Sequence, residues 1–450
     1  MNLETKLKER TARVAIIGLG YVGLPEAMAV AESGFHVTGI DVDAQRVASL
    51  RAGRSYVDDV ANSQLRAVMD AGRFAAHTDF APLAAADVVT ICVPTPLGKT
   101  KDPDVSYIRA ASAEVAQRLR RGQLIVLEST TYPGTTEEII RPSLEETGLV
   151  AGRDFFLAFS PERIDPGNPH YNIRNTPKVV GGSTPRCARI ATLFYSQFVE
   201  QVVSVSNLQT AEMVKLLENT FRLVNIALVN ELAVMSDVLG VDIDEVIGAA
   251  ATKPFGFMPF HPGPGLGGHC IPVDPEYLAW KLKSFDCTAR FIGLAGEINA
   301  RMPHVVVDKI TEALNAVGKS VNRSRLLVLG VAYKRDVADT RESPALSVIS
   351  LLQQRGADVS FHDPHVKSVP LNGGELASVP LTPRLLAEQD CVAILTDHSA
   401  FDVPWIVAKA KLVVDTRNAT RGLTRFRHRI VKLGAPSELL RALRAKEEAA

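Results

Sequence analysis

Apolar residues along this chain fall into three successive patterns. In the first, short apolar runs alternate with stretches of helical spacing. Arg13–Ile17 is a run closed by glycine, and His36–Ile40 is a second that ends at Asp41. Asp87–Val93, Leu124–Leu127, Phe155–Phe159 and Val179–Val180 continue the series. Between them, Val105–Leu119, Thr135–Leu144 and Pro185–Phe198 carry apolar residues three and four apart, and a further helix starts near Val22. Short apolar runs bounded by turn residues suit strands buried on both faces. Their alternation with helices predicts a doubly wound α/β domain over residues 11–205.

In the second pattern, neither Pro nor Gly interrupts Thr210–Leu239, which predicts one long helix. Phe291–Val317 predicts another, kinked at Pro303. Lys253–Pro275 joins them as a Gly- and Pro-rich loop, and a loop of that length in a compact domain is usually functional. Residues 206–319 thus form a central helical domain. In the third, the strand–helix alternation returns through Leu326–Val331, Pro344–Gln354, Val359–His362, Cys391–Leu395 and Leu412–Val414. This predicts a second open α/β domain over residues 320–435, followed by a frayed tail at Glu447–Ala450.

Charge narrows the partners. Lys plus Arg and Asp plus Glu are 50 each, so the chain of 450 residues has no general field to attract nucleic acid or an anionic membrane. Anionic ligands must be held by local groups. The 5 cysteines are scattered without a CxxC pair, which argues against a zinc ribbon or a disulfide framework. Asn2–Arg10 is charged and unlike a signal peptide, and runs such as Leu326–Ala332 are too short to span a bilayer. A reducing cytoplasm is the expected setting.

Gly18-Leu19-Gly20-Tyr21-Val22-Gly23 follows the first strand and opens a helix. Glycines there allow a tight turn, close approach of a pyrophosphate and close helix–strand packing, with the helix N-terminus facing the anion. Asp41 ends the second strand, about the expected 20 residues on. A carboxylate there accepts from ribose hydroxyls and repels a 2′-phosphate, so the cofactor expected is NAD rather than NADP. Arg46 in the following helix is expected at the adenosine edge or in solvent.

Three further strand ends carry polar groups: Val93-Pro94-Thr95-Pro96, Glu128-Ser129-Thr130-Thr131 and Ser160-Pro161-Glu162-Arg163. These suit either turn chemistry or a ligand edge. Glu212, Lys215 and Asn219 share one face of the long helix, which Arg222 extends. Such a stripe is either a solvated charged face or the lining of a cleft. Cys270 follows Gly263-Pro264-Gly265-Leu266-Gly267-Gly268-His269, with Asp274 four residues on. Glycines that expose backbone N–H groups could favour a thiolate nucleophile at Cys270. The other cysteines stand in apolar contexts and read as small core residues. Finally, Tyr333-Lys334-Arg335-Asp336 and Asp339-Thr340-Arg341-Glu342-Ser343-Pro344 link a strand to a helix and suit phosphate ligands.

In this order, together with Ala211-Glu212-Met213-Val214-Lys215, these segments resemble the UDP-sugar 6-dehydrogenase family over Arg13 to Arg421. The resemblance implies an N-terminal Rossmann domain that binds NAD, a central all-helical domain whose long helix supports a homodimer, and a C-terminal Rossmann-like domain for UDP. It also implies oxidation of the sugar C6 hydroxyl to a carboxylate with two NAD in succession. Lys215 and Asp274, through a water, would assist loss of the hydroxyl proton. Cys270 would hold the aldehyde as a thiohemiacetal, with Lys215 and Asn219 stabilising its oxyanion. Glu162 would activate the water that cleaves the resulting thioester, and Thr130 would position it. Cofactor contacts are expected from Gly18, Gly20, Tyr21, Val22, Gly23, Asp41, Arg46, Thr95, Thr130, Lys334 and Arg341. Substrate contacts are expected from Glu162, Arg163, Lys215, Asn219, Arg222, Gly265, Gly267, Tyr333 and Lys334.

Three runs resemble the UDP-N-acetylglucosamine branch: Pro96-Leu97-Gly98-Lys99-Thr100-Lys101, Ser160 to Gly167, and Lys253 to Gly263. Glu276 departs from it, standing where that branch usually has an aromatic residue. UDP-N-acetylglucosamine is therefore the substrate expected, in the service of surface polysaccharide. UDP-glucose and the galactosamine and mannosamine analogues are the alternatives, and a one-step β-hydroxyacid dehydrogenase is the alternative of another class.

Overall fold

A computed structural model describes residues 2–98, 100–165, 167–168, 170–268, 270–371 and 373–442. Lys99, Pro166 and His269 of the quoted motifs, and the tail expected to fray at 447–450, lie outside the described residues. The chain divides into two compact units. One comprises the residues up to Glu218 with Glu276–Thr288, and the other Asn219–Pro275 with the residues from Ala289 on.

The first unit is built on β1 (Arg13–Ile17), β2 (His36–Ile40), β3 (Phe74–His77), β4 (Val88–Ile91), β5 (Leu124–Leu127), β6 (Phe156–Phe159), β7 (Lys178–Gly182) and β8 (Val202–Ser204). Their order in the sheet is β3-β2-β1-β4-β5-β6-β7-β8. All neighbours are parallel except β6 and β7. Strands β4, β5 and β6 are buried at every position, which is why they read as continuous apolar runs rather than alternating ones. The order reverses between β1 and β4, the topological switch at which open α/β sheets bind ligands. Helices Gly23–Glu32 and Pro185–Tyr195 pack their apolar residues into one core with β1 and β2.

The second unit carries a five-stranded sheet. Its strands are β9 (Arg325–Leu329), β10 (Asp358–His362), β13 (Cys391–Ile394), β14 (Val413–Asp415) and β15 (Ile430–Lys432), and a separate hairpin is formed by β11 (Ser368–Leu371) and β12 (Gly374–Ala377). The order β10-β9-β13-β14-β15 is parallel throughout and again reverses beside its first strand. Helices Arg290–Ala316 and Pro344–Gln354 cover one face, and Pro383–Glu388 and Val403–Lys409 cover the other. Among the described residues, no helix is long and apolar enough to cross a membrane.

The long helices match the predicted pattern closely. One runs over Leu208–Leu239 and the other, Arg290–Ala316, continues through Pro303. Proline cannot donate to the carbonyl four residues before it. The Asn299 carbonyl freed in this way faces Gly265, where an added Cβ would lie 3.2 Å from the Asn299 oxygen. Buried amides join the two helices to the start of the Gly-rich loop. Asn230 Nδ2 donates to Asn299 Oδ1 at 2.8 Å, and the Gly263 N–H donates to Asn230 Oδ1 at 2.9 Å.

Candidate active site

In the first unit the glycine turn after β1 meets the steric demands of a dinucleotide loop. Gly18 has φ +90°, and a Cβ there would lie 2.4 Å from the Cys92 carbonyl oxygen. A Cβ on Gly23 would lie 1.9 Å from the Gly18 oxygen. These two glycines are required by the fold. Gly20 is different, because a Cβ there would meet nothing within 4 Å. Asp41 braces the turn. Its Oδ2 accepts from the Leu19 N–H and its Oδ1 from the Asp43 N–H, both at 2.9 Å. A carboxylate offers about four lone-pair sites, so Asp41 retains capacity for ribose hydroxyls. Arg46 lies 3.6 Å from Asp41 and 5.6 Å from the Tyr56 ring centre. Tyr21 is exposed. The residues present fit NAD.

Hydrogen bonds tie the loops after β4 and β5 to each other. Thr95 Oγ1 donates to the Thr130 carbonyl at 2.7 Å, and Ser129 Oγ donates to the Val93 carbonyl at 2.8 Å. Thr95 is thus tied down as a brace, and its carbonyl accepts from the Tyr277 hydroxyl. Glu162 is buried. Its Oε1 accepts from the Arg163 and Ile164 N–H groups, both at 2.6 Å, and its Oε2 accepts from Lys178 Nζ at 3.0 Å. Burial alone would raise its carboxyl pKa. The charges of Lys178 and Lys215 and these hydrogen bonds instead hold it below the ordinary glutamate value. Glu162 is therefore an ionised acceptor at neutral pH.

The stripe on the long helix is not solvated. Glu212, Lys215 and Asn219 are all buried, because this face packs inward. Glu212 binds the segment after β5, accepting from the Thr136 N–H at 2.9 Å and the Thr136 hydroxyl at 2.7 Å, and also from the Gly134 N–H. Lys215 stands one turn before Asn219 on the same helix. Arg222 is exposed. Glu218 holds Nη2 of Arg163 at 2.6 Å, and the Pro177 carbonyl accepts from its Nη1 at 2.6 Å. Glu276, the departure noted in the sequence, pairs with Lys101 at 2.7 Å.

In the second unit Cys270 is exposed and lies one turn before the helix Asp274–Lys283. The Asp274 N–H donates to the Cys270 carbonyl at 2.8 Å. Asp274 is buried, and its Oδ2 accepts from Asn219 Nδ2 at 2.5 Å. The glycines before Cys270 are closely packed. A Cβ on Gly267 would lie 2.7 Å from Tyr333 Cβ, and one on Gly268 would lie 2.9 Å from the Tyr333 ring. The Gly268 N–H is committed to the Arg341 carbonyl at 3.0 Å. The loop is thereby moored to the segment that carries Tyr333, Lys334 and Arg341. Arg341 is exposed and pairs in bidentate fashion with Asp339. One cysteine contradicts the expectation of small core residues: Cys287 is exposed, while Cys92, Cys187 and Cys391 are buried. It follows the last turn of a short helix, where its apolar neighbours do not form core.

The pattern reading missed Lys178, Glu26 and Tyr195. Lys178 Nζ lies 2.9 Å from Glu128 Oε2 as well as 3.0 Å from Glu162, and the Tyr195 hydroxyl donates to Glu128 Oε1. Cys92 Sγ donates to Glu26 Oε2 at 3.4 Å. Signals for two of these were present: a lysine opening the buried run Lys-Val-Val-Gly-Gly, and a glutamate inside the all-buried helix stretch Gly23–Ala31. A charge within an apolar run needs a partner.

Models of three domains of one family match the chain in order: the NAD binding domain at residues 12–199, the central domain at 209–301 and the UDP binding domain at 327–422. The UDP-N-acetyl-D-mannosamine dehydrogenase of Pyrococcus horikoshii is 36% identical over 413 residues, which cover 90% of this chain and 95% of that protein. An NDP-N-acetyl-D-galactosaminuronic acid dehydrogenase of Ralstonia nicotianae is 36% identical over 418 residues, covering 90% and 95%. The solved structure of the Pyrococcus horikoshii UDP-D-ManNAc dehydrogenase superposes with a TM-score of 0.85 at 34% identity, over 94% of this chain and 99% of that one. A UDP-glucose dehydrogenase of Pyrobaculum islandicum gives 0.80 at 26% identity, over 95% and 98%.

Proposed function

The chain belongs to the UDP-glucose/GDP-mannose dehydrogenase family of NAD-dependent oxidoreductases, and we propose that it oxidises the C6 hydroxyl of a UDP-N-acetylhexosamine to the carboxylate through a thioester on Cys270. NAD, held at the turn Gly18–Gly23 and Asp41, would supply the hydride acceptor for both oxidations. Lys215, with Asp274 acting through a water, draws off the hydroxyl proton. Asn219 orients Asp274 through their 2.5 Å hydrogen bond. The Cys270 sulfur then bonds to the aldehyde carbon, Lys215 and Asn219 stabilise the resulting oxyanion, and loss of a second hydride from that carbon turns the thiohemiacetal into the thioester. In the last step water adds to the thioester carbon, its proton passes to Glu162, the carbon–sulfur bond breaks and Cys270 leaves as thiolate. Thr130 positions that water.

The observation that carries this reading is an exposed thiol one turn before a buried aspartate that a helix asparagine holds. The segment Tyr333–Arg341 and the moored loop with Gly265 and Gly267 are assigned to the UDP-sugar, and the division at 11–205, 206–319 and 320–435 to cofactor, catalytic and nucleotide domains. Arg222 is assigned to the substrate, and Lys334 and Arg341 are assigned to the cofactor as well. The enzyme acts in the cytoplasm as a homodimer and supplies uronic acid for surface polysaccharide.

The two relatives at 36% identity carry names that concern N-acetylated sugars, which supports the N-acetylhexosamine class. They favour the manno epimer over the gluco epimer expected from the sequence runs, because one named relative is similar both in sequence and in structure. Assays with UDP-N-acetylmannosamine, UDP-N-acetylglucosamine, UDP-N-acetylgalactosamine and UDP-glucose at matched concentration test this. Turnover of an N-acetylated sugar should be the fastest, and faster turnover of UDP-glucose would overturn the class.

A further inference from the structure

Behind Glu162 lies a group of ionisable side chains that the reaction as described does not use. Lys178 is 3% exposed and sits between the carboxylates of Glu128 and Glu162. The far side of Glu128 is capped by the Tyr195 hydroxyl. Glu26 and Cys92 close the group. One ammonium cannot sustain three buried carboxylates in a low-dielectric interior. Burial, and then the charge of Glu128, push the Glu26 carboxyl well above its ordinary value, so Glu26 is the neutral member. Glu128 and Glu162 then share the Lys178 ammonium, and the charge of Lys215 acts on Glu162 as well. A buried ion pair is seldom more stable than a well-packed apolar replacement, so stability alone gives little account of this one.

The hydrogen bonds on Glu162 indicate a use. Two backbone N–H groups hold Oε1 and Lys178 holds Oε2. Three of about four lone-pair sites are thereby filled. One direction remains for the proton of an attacking water.

We propose that Lys178, backed by Glu128, is a positioning residue for thioester hydrolysis that keeps the Glu162 carboxylate charged and aimed at the water. The proposal rests on Glu162 being the base of that step. Among the described residues, the charged and titratable groups around Glu162 include Lys178 on β7, Lys215 on the long helix, Glu128 after β5 and Glu26 on the helix after β1.

The test follows decay of the acyl-enzyme on Cys270 against pH, by rapid quench and intact mass, in the full-length protein with NAD and the best UDP-sugar. In Lys178→Met the acyl-enzyme should accumulate, with decay slowed on the order of 100-fold and the acidic limb moved to higher pH. In Glu128→Gln the whole Lys178 charge serves Glu162, and the limb should move to lower pH. Opposite shifts are not produced by a merely structural role. Glu162→Gln is the control. If it accumulates acyl-enzyme while Lys178→Met decays like wild type with an unmoved limb, this inference fails and the role of Glu162 stands. If Glu162→Gln does not accumulate acyl-enzyme, both fail. If Lys178→Met does not fold, Glu128→Gln decides alone, and an unmoved limb overturns the proposal.

Discussion

Cys270 and Cys287 are both exposed thiols, yet only one has chemistry arranged around it. Asp274 and Asn219 lie beside the Cys270 loop. Cys287→Ser should leave turnover within about twofold, whereas Cys270→Ser should lower acid formation by about 10³-fold or more, read as NADH release. Wild-type-like acid formation by the Cys270 variant would contradict the thioester. At Gly18, alanine would place a Cβ 2.4 Å from a backbone oxygen at φ +90°. Gly18→Ala should destabilise the protein by roughly 1–3 kcal/mol and weaken NAD binding, measured by thermal unfolding and titration. Gly18 and Asp41 were legible because each sits at a fixed offset from a strand, and the face of Glu212, Lys215 and Asn219 because helical spacing sets it, whereas Cys270 lies in a loop and drew its expected role from the resemblance. The sequence did not reveal Lys178 and Tyr195, because their partners lie on other strands and helices far along the chain. Nor did it tell the buried Glu212 from a solvated glutamate, since helical spacing sets a face but not what covers it.

The two sheets use the same device at the element scale. Each second strand ends in an aspartate that accepts N–H groups of the turn after the first strand: Asp41 from Leu19, and Asp363 from Val331 and Ala332. Burial would raise the Asp363 carboxyl, but His398 and the backbone N–H groups bring it down to about 2. Its folded value lies below the unfolded one near 3.9. The stabilisation is therefore present above about pH 4 and is lost as pH falls toward 2, with a size of about 2 kcal/mol. Asp363→Asn should cost more stability at pH 7 than at pH 3 in urea unfolding, and an equal cost at both would contradict the assignment. Long helices and fully buried strands were readable because their periods persist. Phe74–His77, with one large apolar residue, and the β11–β12 hairpin, with Ser, Pro, Gly and Glu, carry too little pattern to be seen. These strands form through pairing with distant partners, which outweighs weak local preference.

For the molecule as a whole, the balanced charge leaves association to apolar surface. Leu217, Phe221, Leu228, Leu232 and Met235 are exposed at helical spacing along Leu208–Leu239. Exposed apolar stripes mark interaction surfaces, and a homodimer through this helix is the expected outcome. Sedimentation should give a dimer, and Leu217→Asp with Leu228→Asp should shift it toward monomer. An unchanged dimer would place the interface elsewhere. The central claim is that one site carries out two oxidations on a sugar held by Cys270. It is tested most directly by supplying excess NAD and a limiting amount of the UDP-N-acetylhexosamine that turns over best, then counting NADH against uronate. The account predicts two NADH per uronate and no free aldehyde. One NADH per molecule of sugar consumed, or aldehyde released to solution, would contradict it.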